Sequence, residues 1–281
     1  MHQEKEVISQ WSESAPFWVR HRDVIREMFS PITQALIEDA KINCGQTVLD
    51  VATGPGEPAL SVAKLVGPEG KVIGVDAVPE MVEAARCEAN RRGFKNANFE
   101  VALADDLPFP ENTFDAVVSR FGVMFFPSPV DCVREMLRAL KPGGRIAMAV
   151  WYFADRNPFH YTVSQVVERY VNSPTPAPDS PDAFRFADPG KLLKILSNAG
   201  AAAASERLLQ FAIRASISVE DFWTLRSEMS DKLRAKLASL SKEQLAEVKR
   251  EVLKALAAYS GNRSMSFPAE VLIVSGDKTP S

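Results

Sequence analysis

Val48-Leu49-Asp50-Val51-Ala52-Thr53-Gly54-Pro55-Gly56 is the stretch of sequence that decides the fold. Its opening residues are mostly apolar and β-branched, which is typical of a strand buried in a parallel sheet. Glu57 and Pro58 follow the glycine turn and predict the start of a helix, because proline is tolerated in a first helical turn. This order places backbone N–H groups at the carboxyl edge of a sheet. The stretch therefore predicts a site for a nucleotide-like ligand.

Strands and helices alternate from residue 46 to residue 151. After the first strand, which ends at Asp50, the predicted strands are Val72–Asp76, Phe99–Val101, Phe114–Ser119 and Arg145–Trp151. The predicted helices cover about 57–65, 79–92 and 129–140, and a tight turn, Lys141-Pro142-Gly143-Gly144, precedes the fifth strand. Strands separated by helices of this length are joined by right-handed crossovers and form a parallel sheet.

The region after residue 151 is less regular. We predict a helix around 162–171, a stiff proline-rich loop at Ser173–Pro178, a helix at about 189–199, and strands at Arg207–Ile213 and Val271–Val274. Between these two strands, capping-box spacings at Ser218 and Asp221 and at Ser241 and Gln244 introduce helices. Their apolar stripes are Phe222, Trp223 and Met229; Leu233, Leu237 and Leu240; and Leu245, Val248, Val252 and Leu256.

The N-terminal 40 residues carry two helical patterns. Aromatic and aliphatic side chains recur along the first pattern, at Trp11, Phe17, Trp18, Ile25, Met28 and Phe29. Ser30-Pro31 predicts the start of the second helix, because serine is a good N-cap and proline suits the first helical position. The aromatic residues have two explanations: they pack on the core, or they fold over the ligand site as a lid.

Composition and charge exclude several classes of function. The chain has 281 residues, of which 46% are apolar, so it can bury a large core. Its net charge is −3, and we expect no nucleic-acid partner, because binding to phosphates needs a basic face. We expect no stable membrane insertion, because no apolar run is long enough to span a bilayer, and the polar N-terminus is unlike a signal peptide. Cys44, Cys87 and Cys132 are widely spaced and predict reduced thiols in a cytoplasmic protein.

Four motifs together resemble those of one enzyme family. They are Val48–Gly56; Gly74-Val75-Asp76 followed by Glu80-Met81; Leu107-Pro108-Phe109 through Phe114-Asp115; and Leu140-Lys141-Pro142-Gly143-Gly144. Each motif is weak alone, but their order and spacing resemble the class I S-adenosylmethionine-dependent methyltransferases. Within that class, the chain is most similar to the ubiquinone/menaquinone C-methyltransferase group, over about residues 40–215.

The resemblance implies a Rossmann-like, doubly wound α/β fold. The expected sheet has seven mostly parallel strands with an antiparallel last strand. Residues 1–40 would form an N-terminal helical lid, 41–214 with 265–276 the core that binds S-adenosylmethionine, and 215–262 a helical insertion or cap.

The same resemblance implies the cofactor contacts. The residues implied are Asp50, Ala52, Thr53, Gly54, Gly56, Asp76, Ala77, Met81, Ala104, Asp105 and Arg120. Asp76 ends the second strand, where a carboxylate accepts hydrogen bonds from ribose hydroxyls. Asp50 is implied to lie near the cationic methionine end, and opposite charges suit each other there. Met81 is implied to pack on the adenine, although methionine is also a common core filler.

Two positions depart from the family pattern. The first of three alternating glycines is replaced by Ala52, a change that the quinone-methyltransferase relatives tolerate. Relatives commonly have Asp or Asn four residues before the Leu-Pro-Phe segment, where this chain has Leu103. The adenine amino group would then be bound by Asp105 after a small backbone shift, or by backbone groups and packing.

Catalytic candidates are few, because methyl transfer from a sulfonium mainly needs orientation of the reactants and exclusion of water. His160 follows the fifth strand, His21 lies in the N-terminal segment and Arg120 follows the fourth strand. Each has an ordinary structural alternative: a satisfied core histidine, a surface helix residue and a structural ion pair. None of the histidines has partners at metal-ligand spacing, so no metal is expected.

The sequence favours a methyltransferase for carbon or oxygen of a small, largely apolar acceptor, for example an aromatic or quinone-like molecule. The donor would be S-adenosylmethionine and the product S-adenosylhomocysteine. Two alternatives stay open: an NAD-dependent oxidoreductase, because Gly54–Ala59 fits G-x-G-x-x-A, and a non-catalytic S-adenosylmethionine-binding protein. The oligomeric state is left open.

Overall fold

A computed structural model describes residues 2–171, 177 and 179–279. The helices in this part of the chain are α1 (His2–Arg20), α2 (Arg22–Asp39), α3 (Ala59–Val66), α4 (Pro79–Arg92), α5 (Pro129–Ala139), α6 (Pro158–Val167), α7 (Lys191–Asn198), α8 (Val219–Met229), α9 (Asp231–Ala238) and α10 (Lys242–Leu256). The strands are β1 (Thr47–Val51), β2 (Lys71–Asp76), β3 (Ala97–Val101), β4 (Phe114–Arg120), β5 (Leu140–Trp151), β6 (Ala202–Ala215), β7 (Ser260–Gly261) and β8 (Ser264–Asp277).

The strands form one sheet in the order β3-β2-β1-β4-β5-β8-β6. Strands β1 to β5 are parallel to their neighbours, and β8 runs antiparallel to both β5 and β6. The Rossmann-like α/β fold predicted from the sequence is confirmed. One short strand, β7, was not predicted; it pairs with the beginning of β8 in a hairpin.

The centre of the sheet is the most deeply buried part of the core. Strands β1, β4 and β5 carry runs of buried side chains. Helix α3 packs on β1 and β2, α2 packs on β4, β5 and β6, and α5 packs on β5. Because helices cover these central strands, the strands are apolar along their length instead of alternating with polar residues.

The predicted helix start at Ser30-Pro31 is wrong, because α2 begins at Arg22 and runs through Pro31. Proline removes one backbone N–H and normally leaves the carbonyl four residues earlier without a donor. Here that carbonyl belongs to Glu27, and the Ser30 hydroxyl donates a hydrogen bond to it at 2.9 Å. The serine compensates for the missing donor, so the helix continues.

Other predicted helix ends agree with the structure. Helix α4 starts at Pro79 and is followed by Gly93 in the left-handed conformation, with a φ of 75°. Helices α8 and α10 begin with complete capping boxes at Ser218 and Ser241. These signals succeed because each depends only on residues close together in sequence.

Strands β3, β5, β6 and β8 are all longer than predicted. Strands β6 and β8 are each 14 residues long and pair from Ala202–Asp277 to Ala215–Met265, so their ladder continues beyond the apolar segments. Strand β3 begins at Ala97 instead of Phe99. Strand β5 begins at Leu140, which pairs with Phe114, and the predicted tight turn is an irregularity inside it, with Gly143 at a φ of 75°.

The helix predicted around 162–171 begins earlier, at Pro158, and ends at Val167. Its start is fixed by Asn157, a fully buried side chain that binds β8. The Asn157 amide donates to the Glu270 carbonyl, and its side-chain oxygen accepts from the Glu270 N–H, both at 3.0 Å. His160 consequently lies in the first turn of α6. The predicted loop Ser173–Pro178 lies outside the described residues, except for Ala177.

Candidate active site

The turn after β1 adopts backbone conformations that favour glycine. Ala52, Gly54 and Gly56 have φ angles of 60°, 55° and 108°. A Cβ at Gly56 would lie 3.0 Å from the Leu60 Cδ1 atom and 3.3 Å from the Ala85 Cβ atom. The turn therefore needs glycine at this position for both its backbone angle and its close contact with α3 and α4.

Ala52 is strained, because an L-residue other than glycine pays about 1–2 kcal/mol in the left-handed region. We expect Ala52→Gly to raise the free energy of unfolding by about 0.5–1 kcal/mol, once the greater freedom of glycine in the unfolded chain is subtracted. Urea denaturation of the purified chain measures this change.

Ala63→Gly in the middle of α3 is the matched control, because the same substitution at helical angles should lower stability by about 1 kcal/mol. Equal destabilisation of both variants would contradict the assignment of strain to Ala52.

Asp50 lies in β1, directly before this turn, and is fully buried. Its Oδ2 atom accepts hydrogen bonds from the Thr53 hydroxyl at 2.6 Å and from the Ala59 N–H, at the start of α3, at 3.0 Å. Its Oδ1 atom is buried without a hydrogen-bond partner among the described residues. Burial raises the pKa of Asp50 to about 7, against the opposing effects of Thr53, Arg120 and Ala59. One oxygen thus caps a helix while the other is left unused.

Asp76 joins the end of β2 to the glycine turn. Its Oδ2 atom accepts from the Gly54 N–H at 2.8 Å, and its Oδ1 atom accepts from the Val78 N–H at 3.0 Å. Burial raises the pKa of Asp76 to about 6, although these backbone donors favour the ionised form. A carboxylate offers about four acceptor positions, so it can still accept from two ligand hydroxyls.

Helix α1 covers the region beside Asp76. Ala15 packs with Val78 and Met81 in a small buried cluster, and Trp11 and Trp18 lie against it. Ala77 is half-buried next to this cluster. Met81 therefore sits between the start of α4 and the N-terminal helix.

The exit of β3 forms a tight turn. The Asp106 N–H donates to the Leu103 carbonyl at 3.3 Å, which places Ala104 and Asp105 at the tip of the turn. Ala104 is half-buried and Asp105 is exposed. A contact from either residue to adenine stays a prediction.

Arg120 is held by the protein framework. Its guanidinium donates to the Thr33 hydroxyl at 2.8 Å and to the Glu57 carbonyl at 3.1 Å, and it lies over the Phe29 ring. Burial lowers the pKa of Arg120, opposed by the charges of Glu57 and Asp50. These contacts connect α2 to the segment before α3, so the guanidinium positions the glycine turn.

An aromatic layer lies beyond Arg120, at the ends of β4 and β5. Phe121 stacks on Trp151 with ring centroids 4.4 Å apart and planes inclined by 10°. The ring of His160 meets Trp151 edge-on at 4.6 Å and also contacts the rings of Phe159 and Phe184. These side chains form an aromatic wall at the carboxyl edge of the sheet, made of Phe121, Trp151, Phe159 and His160.

His160 is neutral and its tautomer follows from its hydrogen bonds. The Arg226 guanidinium donates to His160 Nδ1 at 3.3 Å, so the proton of the neutral ring is on Nε2. Burial, and then the charge of Arg226, hold the pKa of His160 well below its usual value. Nε2 is buried without a partner in the described chain. In this state His160 offers a hydrogen-bond donor, which is unlike a general base.

His21 lies away from His160, at the junction of α1 and α2. Its Nε2 atom is 2.7 Å from the Glu228 Oε2 atom, and Arg20 pairs with the other oxygen of the same carboxylate, also at 2.7 Å. The Trp18 indole N–H donates to the Met229 carbonyl at 3.3 Å. His21 therefore binds the N-terminal segment to α8 and is not grouped with the aromatic wall.

Comparison with known proteins decides the family. The model of a family described as a methyltransferase domain matches residues 42–200, more than half of the chain. The chain belongs to this methyltransferase domain family. The matched residues include the glycine turn, Asp76 and His160, whereas α1 and the helices from α8 onward lie outside the match.

Two curated relatives illustrate how far the similarity extends. The aklanonic acid methyltransferase DauC of Streptomyces is 36% identical over 121 residues, which are 43% of this chain and 55% of that protein. The ubiquinone/menaquinone biosynthesis C-methyltransferase UbiE of Pseudomonas fluorescens is 37% identical over 135 residues, 48% of this chain and 51% of that protein. The chain spans about half the length of these relatives.

Solved structures share the fold of this methyltransferase domain. The YcgJ protein of Bacillus subtilis has a TM-score of 0.57 at 21% identity and covers 90% of this chain and 100% of its own. An S-adenosylmethionine-dependent methyltransferase of Aquifex aeolicus has a TM-score of 0.50 at 25% identity and covers 66% of this chain and 85% of its own. The predicted family and fold class are both confirmed.

Arg226 is not among the site residues that the sequence predicts, although only 5% of it is exposed in this methyltransferase domain protein. A signal was present: Arg226 falls on the apolar stripe of α8, four residues after Phe222 and three before Met229. A charged residue inside an apolar stripe indicates either that the stripe was assigned to the wrong helix face or that the charge is buried for a functional reason.

No group of three or more His, Cys, Asp and Glu side chains among the described residues is arranged to hold a metal ion. None of the helices in the described ranges has the length and apolar character needed to cross a membrane.

Proposed function

We propose that this methyltransferase domain protein transfers a methyl group from S-adenosylmethionine to carbon or oxygen of a small, largely apolar acceptor. The observation that carries the proposal is the Asp50 carboxylate beside the glycine turn, with its buried and unpartnered Oδ1 atom. A buried acceptor oxygen without a partner is costly, and a cationic ligand would remove that cost.

The residues of the turn fit this cofactor. When bound, S-adenosylmethionine supplies a methyl group on a positively charged sulfur and leaves as neutral S-adenosylhomocysteine. Asp50 would favour its cationic end, Asp76 would accept from the ribose hydroxyls, and Gly54 and Gly56 allow close approach of the backbone. Met81 would contact the adenine. Thr53 keeps Asp50 oriented through its hydroxyl.

The acceptor would lie against the aromatic wall of Phe121, Trp151, Phe159 and His160. Such rings offer a flat apolar surface that suits an aromatic or quinone-like molecule. The names of the two relatives point the same way, because one acts on aklanonic acid and the other belongs to quinone biosynthesis. The site would exclude water and hold the acceptor in line with the donor.

We further propose that residues 1–40 act as a lid, 41–214 with 265–276 as the cofactor-binding core, and 215–262 as a cap. Support for the lid comes from α1, which covers Met81 and contacts α8 and α9. Arg234 of α9 donates to the Ser14 hydroxyl at 2.8 Å. Support for the cap comes from the register of β6 and β8, because Ala215 and Met265 pair at the base of the intervening helices.

A calorimetric titration tests the proposed cofactor. S-adenosylmethionine and S-adenosylhomocysteine should both give binding heat with the full chain, and NADH should give none. Binding of NADH alone would favour the oxidoreductase alternative. If the cofactor binds, a panel of aromatic and quinone-like acceptors with radiolabelled methyl donor follows, and no transfer across the panel would favour a non-catalytic binding protein.

A further inference from the structure

Arg226 is a buried cation that has no counter-ion among the described residues. It is 5% exposed, and no carboxylate of the described side chains lies within ion-pair distance of it. Its guanidinium donates to the neutral His160 ring and lies 4.7 Å from the centre of the Phe159 ring. Its Nε atom is buried and has no hydrogen-bond partner in the described part of the chain.

Keeping this charge buried is unfavourable for the folded protein. Arginine is almost never fully buried unless it is paired, because removing a cation from water costs several kcal/mol. Burial lowers the pKa of Arg226 to about 10, the direction expected when the charged form is disfavoured. The ring of Phe159 and the His160 nitrogen compensate only part of this cost, because neither carries a negative charge.

The position of Arg226 connects it to the proposed acceptor site. Its partner His160 contacts Trp151, and Trp151 stacks on Phe121, which directly follows Arg120 at the end of β4. The ends of β4 and β5 lie at the same edge of the parallel sheet as the glycine turn after β1. Arg226 therefore contacts the same aromatic wall whose member Phe121 directly follows Arg120 near the proposed donor site.

We propose that Arg226 is the anion-binding residue of the acceptor site, and that the acceptor is an aromatic molecule with an ionised oxygen, either a carboxylate or a phenolate. This inference rests on the proposed methyltransferase function and adds the charge of the substrate to it. The unpartnered Nε–H of Arg226 donates to that oxygen. The hydrogen-bonded pair of Arg226 and His160 has a second unpartnered donor, His160 Nε2–H.

Arginine suits this task because its planar guanidinium presents donors in a fixed fork that matches an anionic oxygen. A neutral analogue would leave the buried charge unpaired, so the site selects against it. His160 is then a positioning residue whose Nδ1 atom orients the guanidinium. The apolar rings around the pair strengthen the attraction by excluding water.

A binding experiment with matched probes tests the inference. The full chain is saturated with S-adenosylhomocysteine and titrated by calorimetry with cinnamate and its neutral amide, and with para-nitrophenolate and neutral para-nitroaniline. We expect at least one anion to bind about tenfold or more tightly than its neutral partner, because losing one partner of a buried charge pair is costly. The two pairs distinguish a carboxylate from a phenolate.

The variants Arg226→Met and Arg226→Lys show whether Arg226 causes the preference for the anionic probe. The methionine variant should lose the preference for the anion and bind the neutral probe as before, whereas the lysine variant, which keeps the charge without the fork, should retain only part of the preference. Arg145→Met is the matched control, because Arg145 pairs with Asp277 at 2.6 Å at the other end of the sheet. It should leave both probe affinities unchanged.

Thermal unfolding without ligand separates a binding role from a structural one. If Arg226 is held for a ligand, Arg226→Met should raise the melting temperature by about 2–4 °C, because an uncompensated charge is removed from the interior. Arg145→Met should lower it. A fall in melting temperature for Arg226→Met would instead assign that residue a structural role and overturn the inference.

The outcomes for the two proposals are distinct. Failure of the wild-type chain to bind S-adenosylhomocysteine would overturn the proposed function. Binding of S-adenosylhomocysteine together with equal affinity for anionic and neutral probes, or with no probe binding at all, would overturn only the assignment of Arg226.

Discussion

Asp76→Ala is expected to weaken the binding of S-adenosylmethionine by about 1–3 kcal/mol, the usual cost of leaving polar groups without a partner. In the wild-type chain the Asp76 carboxylate also accepts the N–H groups of Gly54 and Val78. The variant would therefore remove the proposed ribose acceptor and also loosen the glycine turn. Calorimetric dissociation constants for S-adenosylmethionine and S-adenosylhomocysteine should rise by similar factors, because both ligands carry the same ribose.

Asp115→Ala is the control for this experiment. Asp115 also accepts a hydrogen bond from a backbone N–H, that of Thr47 at 2.8 Å, and it pairs with Lys141. It lies at the beginning of β4, at the end of the sheet away from the proposed cofactor site. We expect that variant to lose stability and to keep its affinity for the cofactor. Unchanged affinity in a folded Asp76→Ala variant would remove Asp76 from the site.

The affinity for S-adenosylmethionine should depend on pH through Asp50. Because burial raises its pKa to about 7 in the free protein, the acid is mostly protonated at pH values below that. A sulfonium favours the ionised form, so binding must release a proton at low pH. We expect the affinity for S-adenosylmethionine, relative to S-adenosylhomocysteine, to fall by about tenfold for each pH unit below 7.

The neutral sulfur of S-adenosylhomocysteine makes it the internal control, since any contribution from Asp76 is common to both ligands. Asp50→Asn should abolish the difference in pH dependence, while its side-chain oxygen can still accept from Thr53 and Ala59. Titrations in buffers of different ionisation enthalpy count the released protons. A ratio of the two affinities that does not vary with pH in the wild-type chain would argue against a role for Asp50 at the sulfonium.

The same pKa shift makes the stability of the free protein fall with rising pH, whereas the affinity for S-adenosylmethionine should rise. The folded-state pKa of Asp50 is raised above its ordinary value, so its contribution is favourable while the acid is protonated and is lost as the pH rises through about 7. Relative to Asp50→Asn, the wild-type chain should therefore lose stability between about pH 4 and pH 7 and change little above that range. Melting temperatures of the two proteins without ligand measure this difference.

Much of the cofactor half of the molecule could be predicted from the sequence, because its signals are local. The run from Val48 to Gly56 contains a strand, a turn and a helix start within a few residues. Gly93 ends α4 at the predicted position because only the adjacent backbone decides its left-handed conformation. The placement of Asp76 at the end of a buried strand follows from the same local pattern.

The features that could not be predicted depend on distant contacts. Pro31 was expected to start a helix, and only the hydrogen bond from Ser30 to Glu27 explains why α2 continues. The lengths of β6 and β8 are set by pairing between residues that lie 50 to 75 positions apart, from Ala215–Met265 to Ala202–Asp277, which local propensities did not reveal. The contact of Arg226 with His160 could not be predicted either, because the two residues are 66 positions apart in the sequence.

The contacts of α1 with α8 and α9 have a kinetic consequence. Glu228 binds Arg20 and His21, and the Met229 carbonyl binds Trp18, so the proposed lid is attached to the helix that carries Arg226. If residues 1–40 act as the proposed lid and Arg226 belongs to the acceptor site, donor and acceptor would enter and leave through one common opening. If that opening forms more slowly than the chemical step proceeds, product release would set the ceiling on turnover.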